Sequence, residues 1–574
     1  MTTVARMLVT ALADHGVTSV WGVVGDALNP VTDAIRTEDR VEWVGVRHEE
    51  AAAFAAGAQA QLTGRIGVCA GTVGPGSIHL LNGLYDAKKS HAPVLAICGQ
   101  VPMAEMGSEY FQEVDNDVLF KDVAVYSRTV TSAEQFPYVL EQAVNAANQH
   151  QGVAVITLPG DVGDLEVPRG TPEPRFVDHH PSTTPAAEQL AEAARLLDGA
   201  AKVTMLVGKG AHDAREDVLA TAQLLSAPMV LSLKAKEGLE RDNPYQVGQS
   251  GLLGNPAAQH AFDDCDVLLL VGTDFPYREW YPTGKTVIQI DARGENIGRR
   301  VHVDLGLVGH AETTLAALRP LLHAKADTSH LERSRERYEG WVEKQQHLTD
   351  PAYDRKRLGV VRKLVDNTSR AIRPELLAAA VDRHAADDAI FTADTGMSTV
   401  WLSRFVHMRG TRRHLGSYNL GSMANAMPQA LGASALDRRR QVVAFCGDGG
   451  LTMLMGDLIT AVTYQLPVTL VVFDNSRLGM VKLEQEQGGL PEFGTVLANP
   501  DLAKVAEACG LRGVRVEDPD DVDEAVREAL AHDGPVLLDV VTNPEEISLP
   551  PKPTLSQAWG FAIAKSKEIL VSGE

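Results

Sequence analysis

The stretch VVAFCGDGG, residues 442–450, runs apolar for five residues and then sets an acid, Asp448, between glycines. A little further on, VVFDNSRLG, residues 471–479, repeats the plan with an amide, Asn475, in the acid's place. An apolar run closed by glycine or a small oxygen-bearing side chain fits a strand of a parallel sheet covered on both faces. The same pattern recurs in VAVITLPGD, VTMLVGKGA, VLLLVGTDF, VIQIDARG, AIFTADTG and VLLDVV, with longer helical patterns between. The expected class is therefore α/β, built of doubly wound parallel sheets.

At 574 residues the chain exceeds one core's usual size, and 44% hydrophobic content supplies several. Punctuation divides it. VPRGTPEPRFVDHHPSTTP, around 167–185, is rich in proline and polar residues, and a charged helical stretch from about 325 to 370 reads as a second connector. Three domains result, at 1–170, 185–330 and 355–545, followed by a tail at 546–574. Residues from 67 and from 442 share an order of strand, glycine loop, helix, Pro-Val and strand. The first and third domains thus read either as variants of one fold or as two βαβ units that look alike.

Composition excludes several classes. The net charge is −22, from 53 Lys+Arg against 75 Asp+Glu, without a long basic run, which argues against nucleic-acid binding. The five cysteines are scattered and lack CxxC spacing, so neither a disulfide framework nor a zinc site is expected. The start, MTTVARMLVTALADHGV, reads as an amphipathic helix rather than a signal peptide, and a cytoplasmic location is expected.

In a βα unit, ligands sit beyond the carboxyl ends of the strands, where glycines allow close approach. Asp448, Asn475 and a main-chain carbonyl just past Asn475 (Arg477) would make half of an oxygen octahedron. Magnesium completes such a set with ligand phosphates and water, which points to Mg²⁺ and a diphosphate. The blander alternative is that Asp448 caps a helix and Asn475 makes an Asx turn.

Gly447-Asp448-Gly449 followed by Asp474-Asn475 resembles the thiamine-diphosphate motif, whose usual ending is Asn-Asn; Asp474 departs from it. The resemblance spans nearly the whole chain through RHEEAAAFAAGAQAQLTG (47–64), GTVGPGSIHLLNGLYDA (71–87), MGSEYFQE (106–113), GLLGNPAA (251–258), LLVGTDFPYREWYP (269–282) and GSYNLGSMANAMPQALGA (416–433). It is closest to the FAD-dependent pyruvate:quinone oxidoreductases and pyruvate oxidases.

That resemblance implies a set of roles. Glu49 would be the glutamate that hydrogen-bonds the aminopyrimidine, and Met423 the apolar wedge beneath thiamine. Gly421 would offer a carbonyl to the pyrimidine, with Gly396, Gly447, Gly449 and Gly450 around the diphosphate. Met480 and Glu484 would face the substrate, and Phe111, beside Gln112, would lie between thiamine and flavin. FAD would extend along the middle domain past Gly208, Gly210, Gly251, Thr273, Phe275 and Asp291. Gly208-Lys209-Gly210 lacks the third glycine of a dinucleotide fingerprint, and His310 stands where relatives usually carry Asp.

The implied reaction is oxidative decarboxylation of pyruvate or a similar 2-oxo acid. Thiamine would take up the acyl unit as carbon dioxide leaves, and electrons would pass to FAD and then to quinone, giving acetate. The alternatives are an oxygen- and phosphate-dependent oxidase, a carboligase with an idle flavin, a flavin-free decarboxylase and a non-catalytic relative. By the same resemblance the active site lies between subunits of a homodimer or homotetramer. In the tail, Trp559, Phe561, Ile563, Ile569 and Leu570 with Lys565 and Lys567 are candidates for peripheral contact with the inner face of the cell membrane or for a docked helix.

Overall fold

The computed structural model describes residues 2–177, 182–351 and 371–545. It contains three six-stranded sheets, spanning residues 19–159, 203–308 and 390–541, in which every adjacent pair of strands is parallel. Apolar cores lie on both faces of each, as expected where uninterrupted Val/Ile/Leu runs leave no polar side to expose.

Counting strands in chain order within each sheet, both outer sheets run 2-1-3-4-6-5. The middle sheet runs 3-2-1-4-5-6, the order of dinucleotide-binding folds, with its switch point between Val203–Val207 and Val267–Val271. So the sequence likeness between the stretches from 67 and 442 coincides with a shared topology.

The outer domains also share a core. Helix Glu49–Thr63 is buried along nearly its whole length, on every face, because its alanines and Gly57 let neighbours approach from all sides. Helix Ala426–Leu436 packs on it so closely that a Cβ at Gly432 would lie 2.4 Å from the Ala55 carbonyl oxygen. Deep in this contact the Gln429 amide donates to the buried Asp86 carboxyl at 3.0 Å.

All three domains meet at one guanidinium. Arg413, opening strand Arg413–Gly416, pairs through Nε with Glu237 of the middle domain. Its two Nη atoms donate to the carbonyls of Leu62 (3.1 Å) and Gln61 (3.2 Å) at the end of helix Glu49–Thr63. Those carbonyls have no acceptor role inside the helix, and a cation there complements its dipole.

The first connector carries no helix or strand over 168–177 and 182–186. The charged stretch forms helix Ser329–His347, which lies against the middle domain through buried His330, 2.9 Å from Thr204 Oγ1, and Arg337, 3.0 Å from Asp264. The start of the chain forms helix Val4–Asp14, capped by Thr3 Oγ1 accepting from the Arg6 N–H. Among the described residues no helix is long and apolar enough to cross a membrane. The tail and its candidate amphipathic residues lie outside the described residues.

Candidate active site

Strands Val442–Gly447 and Val468–Asp474 run side by side, with Gly447 opposite Phe473. Their carboxyl ends therefore deliver Asp448 and Asn475 to one edge of the third sheet. Asp448 opens the short helix Asp448–Met453 and is 2% exposed; its Oδ1 accepts the Gly449 N–H at 2.9 Å. Asn475 Oδ1 accepts the Arg477 N–H at 3.0 Å, so the Asx turn is present, and its other lone pair is left for a cation.

Asp474, the departure from the usual motif, sits directly behind. One amide nitrogen, Asn499 Nδ2, donates both to Asp448 Oδ2 (2.7 Å) and to Asp474 Oδ1 (3.0 Å). Burial, with the Asp474 carboxyl alongside, pushes Asp448 up to about 7. Asp539 is likewise raised to about 6 by burial and by Asp474, against the pull of Arg515. A buried group of carboxyls that resists ionisation is a setting in which a divalent cation fits, and the donors are the oxygens that magnesium prefers.

Asp394 organises the surroundings. Its Oδ1 accepts the Ala426 N–H (2.9 Å) and its Oδ2 the Gly447 N–H (3.1 Å), so one carboxyl ties the Met423 loop to the Asp448 loop. Burial raises it to about 7. Gly450 must be glycine here, since a Cβ would stand 2.4 Å from Asp394 Oδ2.

These residues enclose a cavity of about 260 Å³. It brings together Gly396, Gly421, Met423, Asp448 and Asn475 with Gly447, Gly449, Gly450 and Arg477. Met480 and Glu484 line it from helix Gly479–Gln487. A second cavity, of about 140 Å³, adjoins it through Gly396, Gly421 and Met480 and reaches Phe275 in the middle domain. The hydroxyls of Ser232 and Ser250 on its wall are buried and have no hydrogen-bond partner among the described residues. A third, of about 510 Å³, continues through Lys234 and Asp274 to Gly210, Thr273 and Asp291 at the carboxyl end of the middle sheet.

The middle domain departs from a glycine-fingerprint site for a geometric reason. Gly208 does not line the cavity: a Cβ on it would lie 2.2 Å from the Gly272 oxygen, and Gly210 also rests on Gly272. The glycines let two strand exits touch, and the next α-helix starts only at Arg215. Lys209, Lys234, Arg293 and Arg413 line the cavity where a helix N-terminus would otherwise face a phosphate, together with the acids Asp213, Glu237, Asp274 and Asp291. Gly251, at φ +89°, packs under Tyr277 and Phe275. His310 lines the third cavity and accepts the Thr183 N–H at 3.0 Å, fixing the connector. This polar cavity, with Lys209 and Arg293 on its wall, and the orphaned hydroxyls beside it fit a flavin dinucleotide.

Glu49 and Phe111 stand apart. No residue of the first domain lines the Asp448 cavity. Glu49 begins its helix, 7% exposed, with Oε2 2.9 Å from His79 Nδ1, and the His79 ring stacks on His48 at 4.4 Å. Donor atoms of His48, Glu49 and His79 lie within 4.8 Å of one another, but His48 Nδ1 is already spent accepting the Glu50 N–H. Phe111 is 79% exposed among Met103, Met106 and Tyr110, which are also exposed.

Three residues escaped the sequence reading. Asp394 carries the same signal as Asp448, an acid closing an apolar run; His79 and Asn499 have no local signal, because their partners are 30 and 51 residues away.

Comparison with known proteins fixes the family. Descriptions of the N-terminal TPP binding domain, the central domain and the C-terminal TPP binding domain of thiamine pyrophosphate enzymes match residues 2–119, 190–318 and 394–540. The chain is a thiamine pyrophosphate enzyme. The putative thiamine pyrophosphate-containing protein YdaP of Bacillus subtilis is 37% identical over 98% of this chain and 95% of its own. Pyruvate oxidase of Lactiplantibacillus plantarum is 31% identical over 93% and 87%, and the large subunit of acetolactate synthase isozyme 2 of Escherichia coli 32% over 93% and 95%. This thiamine pyrophosphate enzyme therefore sits in a decarboxylating family whose members include both a pyruvate oxidase and an acetolactate synthase.

Proposed function

We propose that the enzyme oxidatively decarboxylates pyruvate, or a 2-oxo acid close to it, and passes two electrons through FAD to a quinone, releasing acetate and carbon dioxide. The observation that carries this is the line of adjoining cavities from Asp448 to the middle sheet's switch point, with Met480 on the wall of both the first and the second. When bound, thiamine diphosphate supplies the nucleophilic carbon and electron sink for decarboxylation, and FAD supplies the two-electron acceptor.

The chain's own residues do the rest. Asp448, Asn475 and the Arg477 carbonyl would hold Mg²⁺ against the diphosphate. Gly449 and Gly450 would lie along the diphosphate, and Met423 would stand beneath the cofactor. Glu484 would face the substrate, and the apolar Leu252, Leu253 and Phe275 on the wall of the second cavity would lie against a flavin ring. Neither Glu49 nor Phe111 lines the Asp448 cavity of its own chain. A second copy would bring them to that cavity, so a homodimer is the smallest active unit, and the exposed apolar side chains around Phe111 fit such a contact.

A second reading, carboligation of two 2-oxo acids with an idle flavin, is favoured by the likeness to acetolactate synthase. One experiment separates them. Pyruvate is added without oxygen to protein loaded with Mg²⁺, thiamine diphosphate and FAD. Bleaching of the flavin band is expected; carbon dioxide release with an unbleached flavin would overturn the oxidative reading.

A further inference from the structure

Strand Glu42–Gly45 is the edge strand of the first sheet, paired on one side only, with Ser19–Gly22. An open edge leaves N–H groups that must find acceptors elsewhere. Val46 turns inward and donates to the Gly22 carbonyl at 3.0 Å. Gly45 and Arg47 face outward, and both are met by side chains of the third domain. The Gly45 N–H donates to Tyr464 Oη at 2.7 Å, and the Arg47 N–H to Asp457 Oδ1 at 2.8 Å.

Asp457 is built for that contact. It is 1% exposed, and the same Oδ1 accepts Thr460 Oγ1 at 2.8 Å, which holds the carboxyl in one orientation. The carboxyl also lies against the backbone N–H of His48, the next residue along from Arg47. Two positions after Arg47 comes Glu49, with His48 between them capping the helix by accepting the Glu50 N–H. Gly45, Arg47 and Glu50 are thus tethered in succession, and Glu49 is the first residue of the helix they hold.

The other end of the tether is equally placed. Asp457 ends the segment that begins at Asp448, running through helix Asp448–Met453 and the turn Met455–Asp457. If Glu49 serves a partner's cavity, as proposed above, one chain's Asp448 and Glu49 belong to different active sites.

We propose that Asp457, seconded by Tyr464, is a positioning residue for Glu49: it fixes the carboxyl that a chain delivers to its partner and ties it rigidly to the cation site the chain keeps. This rests on the reading of Glu49 as the residue that activates thiamine. A misplacement of about 1 Å at such a group costs on the order of 10²-fold.

The test uses the full-length enzyme saturated with Mg²⁺ and thiamine diphosphate. The first readout is the rate at which the cofactor's C2 proton exchanges with deuterium, by acid quench and NMR. The second, on cofactor-free protein, is amide hydrogen exchange of the segment 45–50. D457A is expected to slow C2 exchange at least roughly tenfold and to speed amide exchange, with cofactor affinity changed by less than about threefold. D457N keeps the oxygen that accepts from Arg47 and Thr460, so it should restore both rates. Y464F should fall between.

C2 and amide exchange at wild-type rates in D457A would overturn the proposal, as would D457N behaving like D457A. Should D457A not fold, Y464F decides: slowed C2 exchange supports the tether, and wild-type exchange sinks it. The variant E49Q separates the two levels. Wild-type C2 exchange in E49Q would overturn the reading of Glu49 itself, whereas slow E49Q beside a normal D457A would remove only the positioning role.

Discussion

Loading the cation site should release a proton. Burial and the Asp474 carboxyl push Asp448 up to about 7 in the cofactor-free protein, and a coordinating carboxylate must be ionised. With that value, about 0.9 of Asp448 is protonated at pH 6 and about 0.1 at pH 8. The sign follows directly: a raised carboxyl opposes binding below its pKa and is indifferent above it. The apparent affinity for Mg²⁺ with thiamine diphosphate should therefore fall about tenfold between pH 8 and pH 6. Titration calorimetry in two buffers of different ionisation heat reads the released proton directly. The Asp474→Asn variant, which restores the usual amide, removes the neighbouring charge and moves Asp448 back down. Its affinity at pH 6, relative to its own value at pH 8, should exceed the wild type's. Binding heats independent of buffer at pH 6, or the same pH ratio in Asp474→Asn, would refute the argument that two buried carboxyls share this site.

Three further outcomes are expected. Gly450→Ala sets a Cβ against Asp394 Oδ2 and the Ala424 nitrogen, so it should cost about 1–3 kcal/mol and abolish cation binding, read by urea unfolding and calorimetry. Arg413→Met strips buried Glu237 of its guanidinium; a loss of about 3–5 kcal/mol and a split thermal transition should appear by scanning calorimetry. Phe111→Ala removes an exposed ring, so stability should stay within about 0.5 kcal/mol while flavin bleaching by pyruvate slows at least roughly tenfold; an unchanged rate would remove Phe111 from the site.

What could be read beforehand follows the range of each interaction. That Asp448 and Asn475 reach one cavity was legible because both close apolar runs, a signal contained in nine residues each. Gly447, Gly449 and Gly450 belong to the first of those stretches, whereas Gly396, Gly421 and Met423 were placed by resemblance to the family, and all six line the same cavity. Asp394 closes an equally plain run, AIFTAD, yet its task of joining two loops depends on partners 32 and 53 residues away. The middle domain was the hardest to read, because its glycines bring strand ends together and leave the cavity to side chains from separate parts of the chain. The separation of Glu49 and Phe111 from the Asp448 cavity could not be read from spacing at all, since it is a property of how whole sheets are set against one another.

The junction at Arg413 has a consequence for how the protein is made. On the ribosome, the carbonyl of Leu62 precedes its guanidinium partner by 351 residues, and Asp86 precedes Gln429 by 343. At about 5–20 residues per second, the first domain emerges and waits roughly 20–70 seconds before the groups that complete its helix end and cover its buried acid exist. Through that interval helix Glu49–Thr63, apolar on every side, has no third domain to lie against. A nascent chain paused before residue 426 should be the species that chaperones hold, and the one most prone to join a neighbour's nascent chain instead of its own.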